Sequence, residues 1–207
     1  SIFVNGFAIF VTRSKYVKMI ARLFMWLIGW KVNIKVPQGV QRCVMIASPH
    51  TSNWDFPIAR SAFSILKIPV RFTIKDSWFK FPLNLIFGPL GGIPINRRPK
   101  KEGEERPSMV DAMADLFKGR KELAVMVTPE GTRSFRDEWK SGFYHVAKLA
   151  NVPIGLGYLD YKNKIAGVGM TVYPSDDMAA DMKIIMDFYK DITPKHKEKF
   201  SIDKRFQ

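Results

Sequence analysis

Two short apolar runs, each followed at once by a polar turn, constrain the fold of this chain most strongly. They occupy residues 43–47 and 123–127. Apolar runs of this length, bounded by turn-forming residues, are typical of strands that are buried on both faces. Segments with apolar residues at helical spacing alternate with the predicted strands, at 54–66, 107–118, 143–150 and, after the last strand, 178–189. A short helix that begins at the capping residue Ser77 and ends at Phe87 is predicted as well. The alternation predicts one α/β domain with a central mixed sheet flanked by helices.

A histidine and an aspartate, His50 and Asp55, stand in the turn after the first run. The ends of strands are where α/β folds usually place their chemistry. A carboxylate on one ring nitrogen of a histidine fixes its tautomer and stabilises the imidazolium. Five residues of helix would separate the two side chains by about 140°, so they meet only if the segment bends. Its Ser, Pro, Thr and Asn residues predict that bend, although such a pair also occurs in purely structural helix starts.

Two further turns carry polar side chains that a core would reject, at 96–98 and 130–133. An arginine beside Gly and Thr suits a phosphate, because the guanidinium makes two hydrogen bonds and glycine lets backbone N–H groups approach. Glu130 cannot itself favour a phosphate. It would hold an arginine or the turn backbone, or bind a substrate hydroxyl. The alternatives are ordinary surface charge for Arg97 and Arg98 and a salt-bridged turn at 130–133.

The chain is strongly basic, which predicts an anionic partner. It has 33 Lys and Arg against 19 Asp and Glu, a formal net charge of +14, and 13% aromatic residues. Basic charge combined with many large apolar side chains favours a lipid surface over nucleic acid. Zinc-finger and RNP-type patterns are absent from the sequence, so no nucleic-acid partner is expected. The single cysteine, Cys43, excludes a disulfide within the chain and fits a reducing compartment.

The N-terminal segment, residues 1–31, alternates apolar blocks with isolated cations. Short helices that lie in a membrane interface have this composition, and a helix packed on the core is the alternative. No apolar run reaches the ~18–20 residues that would span a bilayer. We therefore expect a peripheral or monotopic protein on the cytoplasmic face of the membrane, with a globular domain at 32–207 following the interfacial segment.

The motifs at these turns resemble those of one known family. They are His50-x4-Asp55 (an HX4D motif), Ile95-Asn96-Arg97-Arg98, Pro129-Glu130-Gly131-Thr132-Arg133-Ser134 and Val152-Pro153-Ile154. They stand in the order of the four motif blocks of the glycerolipid acyltransferases, the lysophosphatidic acid acyltransferase family. The resemblance implies a membrane-surface enzyme of phospholipid synthesis. It would move a fatty acyl group from acyl-CoA or acyl carrier protein to the free hydroxyl of lysophosphatidic acid, with no further cofactor and no metal.

The resemblance also implies a role for each matching residue. His50 is expected to be the general base and Asp55 its orienting partner. Arg97 resembles the arginine that the family assigns to the acceptor phosphate. The third block, which is also acceptor-binding in the family, corresponds to Glu130, Gly131, Thr132 and Arg133. A domain at 32–207 would then be the acyltransferase domain.

Two departures from the family pattern bear on the identity of the acceptor more than on the type of reaction. Asn96 replaces the acid of the second block, and Gly155-Leu156-Gly157 stands where the fourth block usually has a second proline. An acceptor other than lysophosphatidic acid, such as an amino-acid lyso-lipid, therefore remains an alternative. A catalytically silent, basic lipid-binding protein is the alternative from another functional class.

Rival nucleophiles and bases are poorly placed in the sequence. No GxSxG motif is present, and Cys43 lies upstream of the turn, so direct transfer is favoured over an acyl-enzyme. His145 falls in the middle of a helix and is predicted to be a packed histidine. His196 lies in the basic C-terminal tail.

Overall fold

Seven strands form one mixed sheet in the computed structural model, which describes residues 15–76, 79–95 and 107–207. The strands are β1 (Lys31–Val32), β2 (Arg42–Ala47), β3 (Val70–Lys75), β4 (Gly92–Ile95), β5 (Leu123–Val127), β6 (Ile154–Asp160) and β7 (Ile165–Val172). The helices are α1 (Lys15–Leu27), α2 (Asp55–Leu66), α3 (Asn84–Phe87), α4 (Met109–Asp115), α5 (Gly142–Ala150) and α6 (Met178–Tyr189). Two short 3-10 turns, Lys197–Lys199 and Lys204–Phe206, lie in the C-terminal tail.

The sheet order is β1-β7-β6-β2-β5-β3-β4, with β2 at its centre. Its two neighbours, β5 and β6, both run parallel to it, and β6 pairs with β7 in the antiparallel direction. Because parallel strands end at the same edge of a sheet, the turns after β2, β5 and β6 lie side by side. The predicted α/β fold with a mixed sheet is confirmed.

Alternation along β2 divides the core between the two faces of the sheet. Val44 and Ile46 belong to one buried cluster, which includes residues of α4, α5 and α6. Cys43 and Met45 belong to another, which includes residues of α1 and α2. Successive side chains of a strand point to opposite faces, so a continuously apolar strand supplies both clusters.

The connection between β3 and β4 differs from its prediction. A helix from Ser77 to Phe87 was expected, but α3 includes only Asn84–Phe87, and residues 79–83 form turns. Pro82 lies in the middle of the expected helix, where proline removes a hydrogen-bond donor and clashes with the preceding turn. Ser77 lies outside the described residues.

Helix α1 packs on α2 through a narrow strip and leaves most of its surface exposed. Ala21 and Met25 are buried, and Trp30, just beyond the helix, is buried in the same cluster. Large apolar side chains cover the exposed surface: Tyr16, Met19, Ile20, Leu23, Trp26 and Leu27. No helix of the described ranges has the length and apolar character needed to cross a bilayer. Residues 1–14 of the predicted interfacial segment lie outside the described residues.

Candidate active site

The His50 and Asp55 side chains meet at the carboxyl end of β2. His50 Nδ1 lies 3.2 Å from Asp55 Oδ2. The segment bends as its composition predicted, because the N–H groups of Thr51 and Ser52 donate to Asp55 Oδ2 at 2.9 and 2.8 Å. Asp55, the first residue of α2, therefore folds its carboxylate back beneath the turn that carries the histidine.

Asp55 is buried, yet its surroundings favour the charged form. Its second oxygen, Oδ1, accepts a hydrogen bond of 2.6 Å from the Tyr161 hydroxyl. Burial alone would raise the pKa of Asp55, but the contacts with His50, the Tyr161 hydroxyl and the Ser52 N–H outweigh burial and lower it. Asp55 is thus held as an anion beside the imidazole.

A second buried carboxylate, Glu130, lies on the other side of the same turn. Its Oε1 accepts the Ser48 hydroxyl at 2.6 Å and the His50 backbone N–H at 3.1 Å. Its Oε2 is buried and has no hydrogen-bond partner among the described residues. Burial raises the pKa of Glu130, and the two hydrogen bonds only partly offset it. These contacts match the role of holding the turn backbone.

The remaining residues of the third motif block follow Glu130 toward solvent. Gly131 has a φ of +67°, and a Cβ there would lie 3.0 Å from the Lys140 ammonium. Thr132 is half-buried and accepts the Ser134 N–H at 3.2 Å, while Arg133 is exposed. Arg97 lies outside the described residues, so its role stays a prediction.

A cavity of about 530 Å³ adjoins the histidine. His50, Asp55, Gly131 and Lys140 line it on the polar side. Most of its wall is apolar and comes from both faces of the sheet, including Phe56, Phe63, Phe72, Met109, Met113, Met126 and Phe143. The volume lies in the range of small-molecule sites. Met126 and Val127 are only half-buried because they reach this cavity, although the prediction for β5 was full burial.

Three residues of the site were missed by the sequence reasoning: Ser48, Lys140 and Tyr161. Ser48 precedes the histidine by two positions, and its place directly after an apolar run was the signal in the sequence that could have found it. Tyr161 directly follows β6, but its nearness to Asp55 depends on the strand order. Lys140 lies near the cavity because its backbone N–H donates to the Pro129 carbonyl.

The rival groups do not take part in this arrangement. Burial raises the pKa of the Cys43 thiol to about 12, which leaves it unreactive. His145 is exposed, so the prediction of a packed histidine was wrong: the apolar face of α5 is formed by its neighbours Phe143, Tyr144, Val146 and Ala147. His196 lies close to the site, where its backbone N–H, rather than its imidazole, donates to the Thr51 hydroxyl at 3.3 Å. No group of three potential metal ligands exists among the described residues.

Residues 31–155, more than half of the chain, match the protein-family model described as Acyltransferase. The chain belongs to the acyltransferase family. This acyltransferase is also similar to the crystal structure of the 1-acyl-sn-glycerophosphate (LPA) acyltransferase PlsC from Thermotoga maritima, with a TM-score of 0.55 and 15% sequence identity. The match covers 90% of this chain and 80% of that one, and at this identity it concerns the fold. No curated protein matches the chain significantly.

The arrangement suits general-base chemistry. The Asp55 contact engages Nδ1 of the imidazole, which leaves Nε2 to accept a proton. The imidazole lies in a cavity wall, with about a quarter of the side chain exposed (23%), so a substrate hydroxyl can reach it. An apolar cavity beside a base and a cation suits an amphipathic substrate with an anionic end.

Proposed function

We propose that this acyltransferase is a lysophosphatidic acid acyltransferase, which moves a fatty acyl group from acyl-CoA or acyl carrier protein to the free hydroxyl of its acceptor. The observation that carries the proposal is the His50–Asp55 pair in the wall of a largely apolar cavity. The family match and the order of the four motif blocks support the same reaction.

His50 acts as the general base. Its Nε2 takes the proton of the acceptor hydroxyl as that oxygen attacks the thioester carbonyl carbon. The new C–O bond forms, the C–S bond breaks, and the proton passes to the sulfur, so that an ester and a free thiol result. The Asp55 carboxylate stabilises the imidazolium that exists between the two proton transfers.

The apolar part of the cavity takes the acyl chain. Phenylalanine and methionine side chains dominate this wall, and methionine adapts its shape easily to a flexible chain. Burying methylene groups there contributes about 0.8 kcal/mol each. This term would hold the thioester next to His50.

The anionic end of the acceptor lies toward Lys140, the one lysine or arginine among the described residues that line the cavity. Arg97 and Arg133 join it by the family resemblance. Lys140→Ala should raise KM for lysophosphatidic acid several-fold and leave kcat nearly unchanged, since the lost contact serves binding. Lys148→Ala is the matched control, because Lys148 pairs with Asp176 at 3.1 Å and does not line the cavity.

Helix α1 mediates peripheral, monotopic binding to an anionic membrane surface at the cytoplasmic face. Its exposed apolar side chains enter the interface, and Lys15, Lys18 and Arg22 meet anionic headgroups. Leu23→Glu combined with Trp26→Glu should abolish cosedimentation with anionic vesicles. Retained binding by this variant would exclude α1 as the anchor.

An amino-acid lyso-lipid is the alternative acceptor, suggested by Asn96 and by Gly155-Leu156-Gly157. The structure gives Gly157 a packing role as well, because a Cβ there would lie 2.7 Å from the Ile46 carbonyl oxygen. A panel of acceptors, with thiol release as the readout, decides between them. Turnover with lysophosphatidic acid supports the proposal, and turnover only with another lysolipid reverses the ranking. Vesicle binding without any thiol release from acyl-CoA or acyl carrier protein would favour a non-catalytic lipid-binding protein.

A further inference from the structure

We infer that Tyr161 is a positioning residue for the catalytic base and acts through Asp55. The inference rests on the proposed role of His50 as the base. It is carried by the strand order, which brings the residue after β6 next to the turn after β2. The two residues, 106 positions apart in the chain, meet at the same edge of the sheet.

The Tyr161 hydroxyl completes the coordination of the Asp55 carboxylate. Oδ2 is engaged by His50 Nδ1 and by the backbone N–H groups of Thr51 and Ser52. Oδ1 takes the Tyr161 hydroxyl at 2.6 Å. With a donor on each oxygen, the carboxylate cannot rotate about its Cβ–Cγ bond without breaking a hydrogen bond. The oxygen that faces the imidazole is thereby fixed.

Tyr161 is itself held in place by two contacts. Its backbone N–H donates to the Thr193 carbonyl at 2.9 Å. Its ring meets the buried Trp30 edge-on, with centroids 4.9 Å apart and an interplanar angle of 86°. Burial and the neighbouring Asp55 raise the pKa of the Tyr161 phenol, so it stays protonated and remains a donor. A rigid donor of this kind can orient the group that it binds.

Tyr161→Phe tests the inference, because it removes the hydroxyl and keeps the ring against Trp30. The matched control is Tyr144→Phe. The Tyr144 hydroxyl also donates to a buried aspartate, Asp181 Oδ2 at 2.7 Å, but Tyr144 belongs to the core cluster with α5 and α6 and does not line the cavity. We expect Tyr161→Phe to lower kcat roughly tenfold, as for a lost hydrogen bond to a charged group. KM should change little. Both variants should lose several degrees of melting temperature, since each loses a hydrogen bond to a buried carboxylate, but only Tyr161→Phe should lose activity, and Tyr144→Phe should keep wild-type kcat.

Coupling to Asp55 separates a positioning role from a general structural one. In an Asp55→Asn background, Tyr161→Phe should cost almost nothing further, since the group through which it acts is already altered. A second full tenfold loss in that background, or an unchanged kcat in the single variant, would overturn the inference.

A measurement that needs no turnover keeps this outcome distinct from a failure of the proposed function. The chain has three histidines, so NMR can follow the ring signals of each imidazole, with His145 and His196 as internal references. Without the hydroxyl, Asp55 Oδ1 loses its donor and the carboxylate is held less firmly against His50 Nδ1, so the ring nitrogen signals of His50 should shift in Tyr161→Phe. They should stay in place in Tyr144→Phe. Unchanged His50 ring signals in Tyr161→Phe would contradict the inference even if no substrate is turned over.

Discussion

Two buried carboxylates flank the His50 turn, and they differ in how their oxygens are satisfied. Asp55 has donors on both oxygens, and its pKa is lowered. Glu130 has donors on one oxygen only, and its pKa is raised. Neighbouring acids whose pKa values move apart usually have different roles. Asp55 therefore supplies charge to the imidazole, whereas Glu130 supplies a hydrogen-bond acceptor to the backbone of the turn.

The largest effect is expected from removing the Asp55 charge. Asp55→Asn keeps the size of the side chain but cannot stabilise the imidazolium, so kcat should fall by roughly 10²–10⁴-fold. The measurement is thiol release at saturating acceptor. Near-normal turnover would mean that the reaction does not need the Asp55 charge, and the proposed difference in role between Asp55 and Glu130 would fail.

Stability and activity should depend on the acceptor oxygen of Glu130 more than on its charge. Glu130→Ala leaves the Ser48 hydroxyl and the His50 N–H without their partner and should destabilise the fold by about 1–3 kcal/mol. It should also lower kcat, although less than Asp55→Asn does. Urea unfolding and thiol release on the same preparations provide both numbers.

Glu130→Gln is the matched variant, because its amide oxygen still accepts both hydrogen bonds. It should retain most of the activity and most of the stability. If Glu130→Gln were as damaging as Glu130→Ala, the charge of Glu130 would be required, and a direct role toward the substrate would gain support.

The smallest effect concerns the pH dependence of stability, where the two residues have opposite signs. The lowered pKa of Asp55 stabilises the fold above its ordinary value near 4, and this contribution is lost as pH falls through the folded pKa. The raised pKa of Glu130 favours the fold below its ordinary value near 4, and that contribution is lost as pH rises through the folded pKa. In Asp55→Asn, the free energy of unfolding should depend less on pH below about 4 than in the wild type. In Glu130→Gln, it should depend less on pH above about 4. If the two variants had identical profiles of stability against pH, the opposite pKa shifts of Asp55 and Glu130 would be contradicted.

Sequence reasoning found the elements of this site but not all of its contacts. The apolar run before His50 and the composition of its turn were enough to predict a strand end with a bend, because both are local properties. The hydrogen bond from Tyr161 to Asp55 could not be predicted, since it depends on β6 lying next to β2. The same holds for Glu130: its place in a motif suggested substrate binding, while its burial behind the turn depends on the β2–β5 pairing.

The most direct measurement is acceptor-dependent release of thiol from a long-chain acyl-CoA and from acyl carrier protein, for the wild type, His50→Ala and His145→Ala. His145 is exposed and does not line the cavity, so it controls for the loss of an imidazole elsewhere. We predict release in the wild type and in His145→Ala, and a loss of roughly 10²–10⁴-fold in His50→Ala with an unchanged melting temperature. Release that survives in His50→Ala would contradict the assignment of His50 as the base.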